Sequence, residues 1–267
     1  MKNPISLTFT VTNGFVLAIA MLTTSETAAN EKPAESPSFR NEVMAVLSKA
    51  GCNQGTCHGN ANGKGGLKLS LRGQSPDLDF ETLTRHGGSR RANVVQPEAS
   101  LLLQKPAMDV PHEGGRRFKT DSEAYRILRD WIAAGMQADA SDALSLVTLK
   151  VEPQHSTIYA PATTARVRAL AEFSDGRTKD VTELAVFESS ATFVSVSDDG
   201  VVAADRSGLT TVTARYLDQQ VPVRLEFVPE RPNFVSALPT PANFVDELIF
   251  KQLARLKINP SEVCDNT

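Results

Sequence analysis

The chain has 267 residues, room for about two domains, and 41% of them are hydrophobic, which suffices for ordinary cores. A formal net charge of -3 argues against nucleic acid as a partner, and three cysteines are too few for a disulfide-built fold. Past the N-terminus no apolar run approaches membrane length, so no membrane span is expected in the mature chain.

The first segment reads as an export signal over residues 1–29. Lys2 gives a positive start, Phe15 to Leu22 is a short apolar run, and Thr27, Ala28 and Ala29 offer small residues for cleavage. An exported chain, periplasmic or at the cell surface, is the expectation. Residues 30–38 form a polar, proline-containing leader expected to be disordered.

A first domain is expected over 39–140. Phe39, Val43, Val46, Leu47 and Ala50 recur at helical steps, and Gly51 stands where a helix would stop. Directly after it comes CNQGTCH, Cys52 to His58, in which two cysteines closely precede a histidine. Thiols can add to haem vinyl groups and the adjacent imidazole can serve as proximal iron ligand, so one covalent haem c is expected, with Cys52 and Cys57 as thioether residues and His58 on the iron. The usual site is C-x-x-C-H, whereas four residues separate these cysteines, and Gly55 supplies backbone freedom for the bulge. The rival reading is a Cys52–Cys57 disulfide loop with His58 on the surface; zinc lacks a second pair of ligands.

Residues 59–73 are glycine-rich but lack phosphate-loop ordering, and Leu67, Leu69 and Leu71 alternate as an extended segment. His112, in the loop VPHEGGRRF, is the preferred distal ligand, and Met108 in the same loop is the alternative. Arg85, Arg90, Arg91, Arg116 and Arg117 suit pairing with carboxylates such as haem propionates. Thr120 and Glu123 form a capping-box pattern before a second helix carrying Ala124, Ile127, Leu128, Trp131 and Ile132.

Over 145–228 the pattern changes to short strands. Val167, Ala169, Ala171 and Phe173 alternate until Asp175-Gly176 turns the chain. Val194 and Val196 lead to Asp199-Gly200. Val212, Ala214 and Tyr216, then Val221, Val223, Leu225 and Phe227, continue the alternation, with Arg215, Arg224 and Glu226 facing outward. An antiparallel β-sandwich without a catalytic constellation is the expectation. Residues 229–267 read as a linker and a helical stripe (Phe244, Val245, Leu248, Ile249, Leu253, Leu256) that opens a truncated further domain, with Cys264 a thiol of that region.

The segment FSDGRTKDVTELAVFESSATFVSVSDDGVVAADRSGLTTVTARY resembles the bacterial Ig-like domain of group 2. Together with AGCNQGTCHGNANGKGGLKLSLRG, VPHEGGRRF and NFVDELIFKQL, it makes the chain similar to exported planctomycete proteins with a cytochrome c-like domain before an Ig-like one. The resemblance implies Cys52 and Cys57 as attachment residues and His58 as axial ligand. The expected fold is therefore a mainly α cytochrome c-like domain plus an all-β Ig-like sandwich and a short C-terminal helix. The expected function is an electron-transfer module with a redox partner protein and polysaccharide or cell-surface contact. The alternatives are a non-redox adhesion or scaffold protein with a Cys52–Cys57 disulfide, and the electron-transfer arm of a larger extracytoplasmic enzyme.

Overall fold

The computed structural model describes residues 36–262, with residues 1, 3, 4 and 8 besides. Most of the export signal, residues 30–35 of the leader and Cys264 lie outside the described residues. Ser38 opens the fold: its hydroxyl accepts from Asn41 N at 3.1 Å, while Glu42 accepts from Ser38 N at 3.0 Å, a reciprocal cap that satisfies two free amides. A π-helical turn (Phe39–Val43) runs into α1 (Met44–Lys49). Next come α2 (Pro76–Thr84), α3 (Gly88–Arg91), α4 (Leu101–Ala107) and α5 (Glu123–Ala133).

These helices form a cap around Trp131, which is fully buried. The Phe39 ring lies 5.3 Å from it and 5.1 Å from Phe80, and the Trp131 indole N–H donates to Gln137 O at 2.9 Å, so its polar atom is satisfied. The expectation of a mainly α cytochrome c-like domain is corrected here. The cap helices run to no more than 11 residues, and residues 50–75 are turns and irregular backbone apart from one short 3-10 turn and one bridge. Glycines at positive φ, among them Gly51, Gly63, Gly66 and Gly73, break the chain repeatedly and preclude longer helices. The expected extended segment at Leu67 to Leu71 is also absent; only a Lys64–Leu67 bridge forms there.

The remainder is β-rich: β1 (Leu146–Glu152), β2 (His155–Tyr159), β3 (Thr164–Arg166), β4 (Arg168–Phe173), β5 (Thr178–Asp180), β6 (Val186–Ser189), β7 (Val194–Val196), β8 (Val201–Ala204), β9 (Gly208–Tyr216) and β10 (Gln219–Val228). They make sheets in the orders β1-β4-β5, β2-β10-β9-β6 and β3-β8-β7. β2 pairs parallel with β10, so the arrangement is mixed rather than purely antiparallel. Val212, Ala214 and Tyr216 of β9 and Val223, Leu225 and Phe227 of β10 are buried in period-two alternation, which gives the large sheet one apolar face. α6 (Phe244–Arg255) follows, with the Asn243 side chain accepting from Val245 N at 2.8 Å and Asp246 N at 3.2 Å.

Cap and sheets share one apolar core. The Tyr216 hydroxyl donates to Asn41 O at 2.7 Å across 175 residues of sequence, Asn41 Nδ2 donates to Leu144 O at 2.7 Å, and Lys49 Nζ donates to Ala185 O at 2.7 Å. No helix among the described residues is long and apolar enough to cross a membrane.

Candidate functional site

α1 ends in a Schellman motif that determines where Cys52 sits. Gly51, at φ +73°, donates to Ser48 O at 3.1 Å and Cys52 N donates to Leu47 O at 2.9 Å. The Cys52 side chain packs against the apolar core. Burial pushes its thiol up to about 11; Arg117 opposes the rise and Cys57 adds to it. Cys52 is therefore protonated at neutral pH and reacts only through its small thiolate fraction.

The next turn closes tightly. His58 N donates to Cys52 O at 3.0 Å, and Cys57 N and Gly59 N donate to Gln54 O at 2.9 and 3.0 Å. A Cβ at position 59 would stand 2.1 Å from Asn53 O, so only glycine fits there. The turn leaves Cys57 half-buried, with Arg117 Nη2 donating to its sulfur at 3.4 Å. Both cysteines are free thiols.

His58 Nδ1 lies 3.2 Å from both Lys64 O and Leu67 O, and His112 Nδ1 lies 2.9 Å from Gly115 O. Carbonyls only accept, so each Nδ1 carries a proton, and in the neutral ring Nε2 is the atom that keeps a lone pair. The two rings face each other with centroids 6.4 Å apart and planes 11° from parallel. Lys64 pairs with Glu113 at 3.2 Å and ties the two loops together. Gly114 lies so close to His112 that a Cβ would stand 2.8 Å from the ring. Burial lowers the His58 pKa; the Leu67 and Lys64 carbonyls offset part of the fall, and His112 and Arg91 add to it.

Of the residues expected at this site, Cys57, His58 and His112 come together, Cys52 turns into the core, and Met108 closes α4 in the left-handed conformation with its side chain 42% exposed. Two contributors are arginines whose roles the sequence left general. Arg117 reaches Cys57, and Arg91 is buried, donating to Gly66 O and His86 O and so fixing the glycine-rich loop behind His58.

The expectation of covalent haem c, and with it of iron or other metal binding, is corrected. Among the described residues no group of three or more His, Cys, Asp or Glu side chains is placed to hold a metal ion. Cys52 packs, partly buried, against the core, and Cys57 accepts a hydrogen bond from Arg117. What remains is a half-buried thiol and two imidazoles held through their Nδ1 atoms.

No protein-family model matches the chain, and no curated protein sequence matches it. Among solved structures it is similar to domains 4 and 5 of the S-layer protein SbsC, at 21% identity over 32% of this chain and 54% of that one, with a TM-score of 0.28. SbsC domains 5-6 match at 22% identity over 34% of this chain and 47% of that one, with a TM-score of 0.29. The solution structure of a putative surface protein matches at 13% identity over 38% of this chain and all of that one, with a TM-score of 0.18. The chain thus spans about half the length of the two S-layer structures named here. Likeness this distant carries no argument about function, and the expected cell-surface placement draws no support from it.

Proposed function

We propose that the chain is an exported, non-catalytic scaffold module, in which a helical cap is locked onto a β-sheet body and the Cys52–His58 turn can be braced by a disulfide. The observation that carries this reading is the buried hydrogen bond from the Tyr216 hydroxyl to Asn41 O, 2.7 Å, which joins cap and sheets within one core. A body whose parts share one core is suited to holding and spacing other groups. The export pattern at the N-terminus supports an oxidising surrounding, where the two thiols, close enough to influence each other's ionisation, would be joined. The Sγ–Sγ bond would form by exchange with an external disulfide, which takes up the two electrons and both thiol protons.

The test uses the only tryptophan. Trp131 fluorescence reports the cap and far-UV circular dichroism reports the sheets. Coincident urea transitions, and a Cys52–Cys57 cross-linked peptide in protein purified from the exported fraction, are expected. A cap transition well separated from that of the sheets overturns the single-body reading, and thiols that both alkylate in the exported protein overturn the brace.

A further inference from the structure

Arg215 lies near the end of β9, on the sheet face opposite Val212, Ala214 and Tyr216. It is only 8% exposed, and its Nη1 is wholly buried without a hydrogen-bond partner among the described residues. The side chain makes no ion pair among the described residues. The nearest carboxylate along the sheet, Glu188 of β6, stands opposite Thr213, one diagonal step away. A buried guanidinium left this way is costly, so an unmet donor of this kind calls for a ligand.

There is room for one. Arg215 lines a cleft of about 750 Å³ between the cap and the large sheet. Arg72, from the glycine-rich loop, lines the same cleft and holds a left-handed conformation at φ 55°, ψ 20°. The other charges on the walls are mostly spent: Arg40 pairs with Asp77, and Asp139 accepts from Phe39 N at 2.9 Å and Arg40 N at 2.8 Å. Asp218 is exposed in the β9–β10 turn. Two arginines, Arg215 and Arg72, thus line the space without an ion pair among the described residues. Burial depresses the Arg215 pKa; Glu188 opposes this and Arg72 adds to it.

Polar and apolar groups complete the wall. Ser48 accepts from Asn53 Nδ2 at 2.8 Å, which leaves its own proton to donate. Met44, Leu144 and Leu217 give apolar surface for a carbon skeleton. The helix-end amides that would favour a phosphate are already bound by Asp139.

We propose that this cleft binds a hydroxylated organic carboxylate of about sugar size, its carboxylate paired with the Arg215 guanidinium and reached from outside by Arg72. A planar carboxylate matches the guanidinium fork, and its body would lie against the apolar wall. The inference stands apart from the scaffold reading and does not need the disulfide.

The test is isothermal titration of the full chain with sodium D-glucuronate, beside D-glucose and inorganic phosphate, together with the Arg215 Nε–Hε resonance by NMR. Saturable glucuronate binding that moves the Arg215 resonance is expected. Arg215→Gln should weaken it by about tenfold or more, since a hydrogen bond to a charged group is lost. Arg72→Ala, at an exposed position where folding is not at stake, should weaken it by about threefold. No saturable glucuronate binding overturns the proposal. So does equal binding of glucose, tighter binding of phosphate, or glucuronate binding that Arg72→Ala leaves unchanged while the Arg215 resonance stays still.

Discussion

Two charged side chains on one face of the large sheet have opposite fates. Glu226 of β10 and Arg215 of β9 both point away from the apolar face, near opposite ends of the strand pair. Each is buried, at 0% and 8% exposure. Glu226 is met from several sides: Arg255 of α6 donates at 2.8 and 3.0 Å, Thr157 at 2.9 Å, and His155 and Arg224 stand at 3.3 Å. Among the described residues Arg215 is met by no carboxylate, and a cleft opens beside it. A buried charge with converging partners serves as a fastening, and one without them carries an uncompensated desolvation cost.

The largest expected effect tests the fastening. Glu226→Ala should cost about 3 kcal/mol in urea unfolding, because it strands Arg255 and leaves α6 without its main polar anchor. Arg255 is 32% exposed and can rehydrate in part, which keeps the figure at the low end for a broken buried pair. Limited proteolysis within residues 229–243 should quicken in the same variant. An unchanged midpoint would mean that α6 does not depend on the pair.

A smaller loss is expected at the joint that walls the cleft. Tyr216→Phe removes the donor to Asn41 O and leaves a buried carbonyl short of a partner, for about 1–2 kcal/mol by urea titration followed at both Trp131 and the sheets. If the loss registers in only one probe, cap and sheets are less firmly joined than the shared core implies.

The sequence made one side of the comparison visible and hid the other. The alternation over β9 and β10 places Arg215, Arg224 and Glu226 opposite the apolar residues, and so they lie. Period-two patterning reports which face a residue occupies and is silent on what later covers that face. α6 covers Glu226 and the cap approaches Arg215 only through contacts distant in sequence. Local chemistry behaved similarly at the helices. The α5 cap is Ser122, accepting from Tyr125 N at 3.3 Å, rather than Thr120, because capping depends on where the backbone turns. At the thiol site, Gly51 was legible as a helix stop, but the Schellman geometry that turns Cys52 inward was not, and the haem expectation depended on that direction. His112 was legible as a loop residue near His58; the pairing of Arg117 with Cys57 carried no sequence signal beyond a nearby positive charge.

A gain rather than a loss is expected from Arg215→Met. Replacing an unmet buried guanidinium with an apolar side chain of similar length should raise stability by about 1 kcal/mol in the unliganded chain, the reverse in sign of Glu226→Ala. A loss comparable to that of Glu226→Ala would show that Arg215 is partnered in solution after all.

The smallest effects are in pH, and their order separates the two ends of the sheet from the histidine pair. The hydrogen bonds of Glu226 outweigh the upward push of burial and leave its carboxyl below the ordinary 4.5. Its contribution is therefore complete above about 4.5, the unfolded value, and is lost as pH falls through the lower folded value. Burial likewise holds the His58 imidazole below its ordinary 6.5. The fold prefers the neutral ring, so stability is complete above about 6.5 and declines as pH falls below that value. Arg215 stays charged throughout and is silent. Urea midpoints measured from pH 7 downward should thus begin to fall near 6.5 and fall again below 4.5, and His58→Asn should remove the first decline alone. A first decline that survives in His58→Asn would locate the acid-sensitive proton elsewhere and leave His58 free to ionise at its ordinary pH.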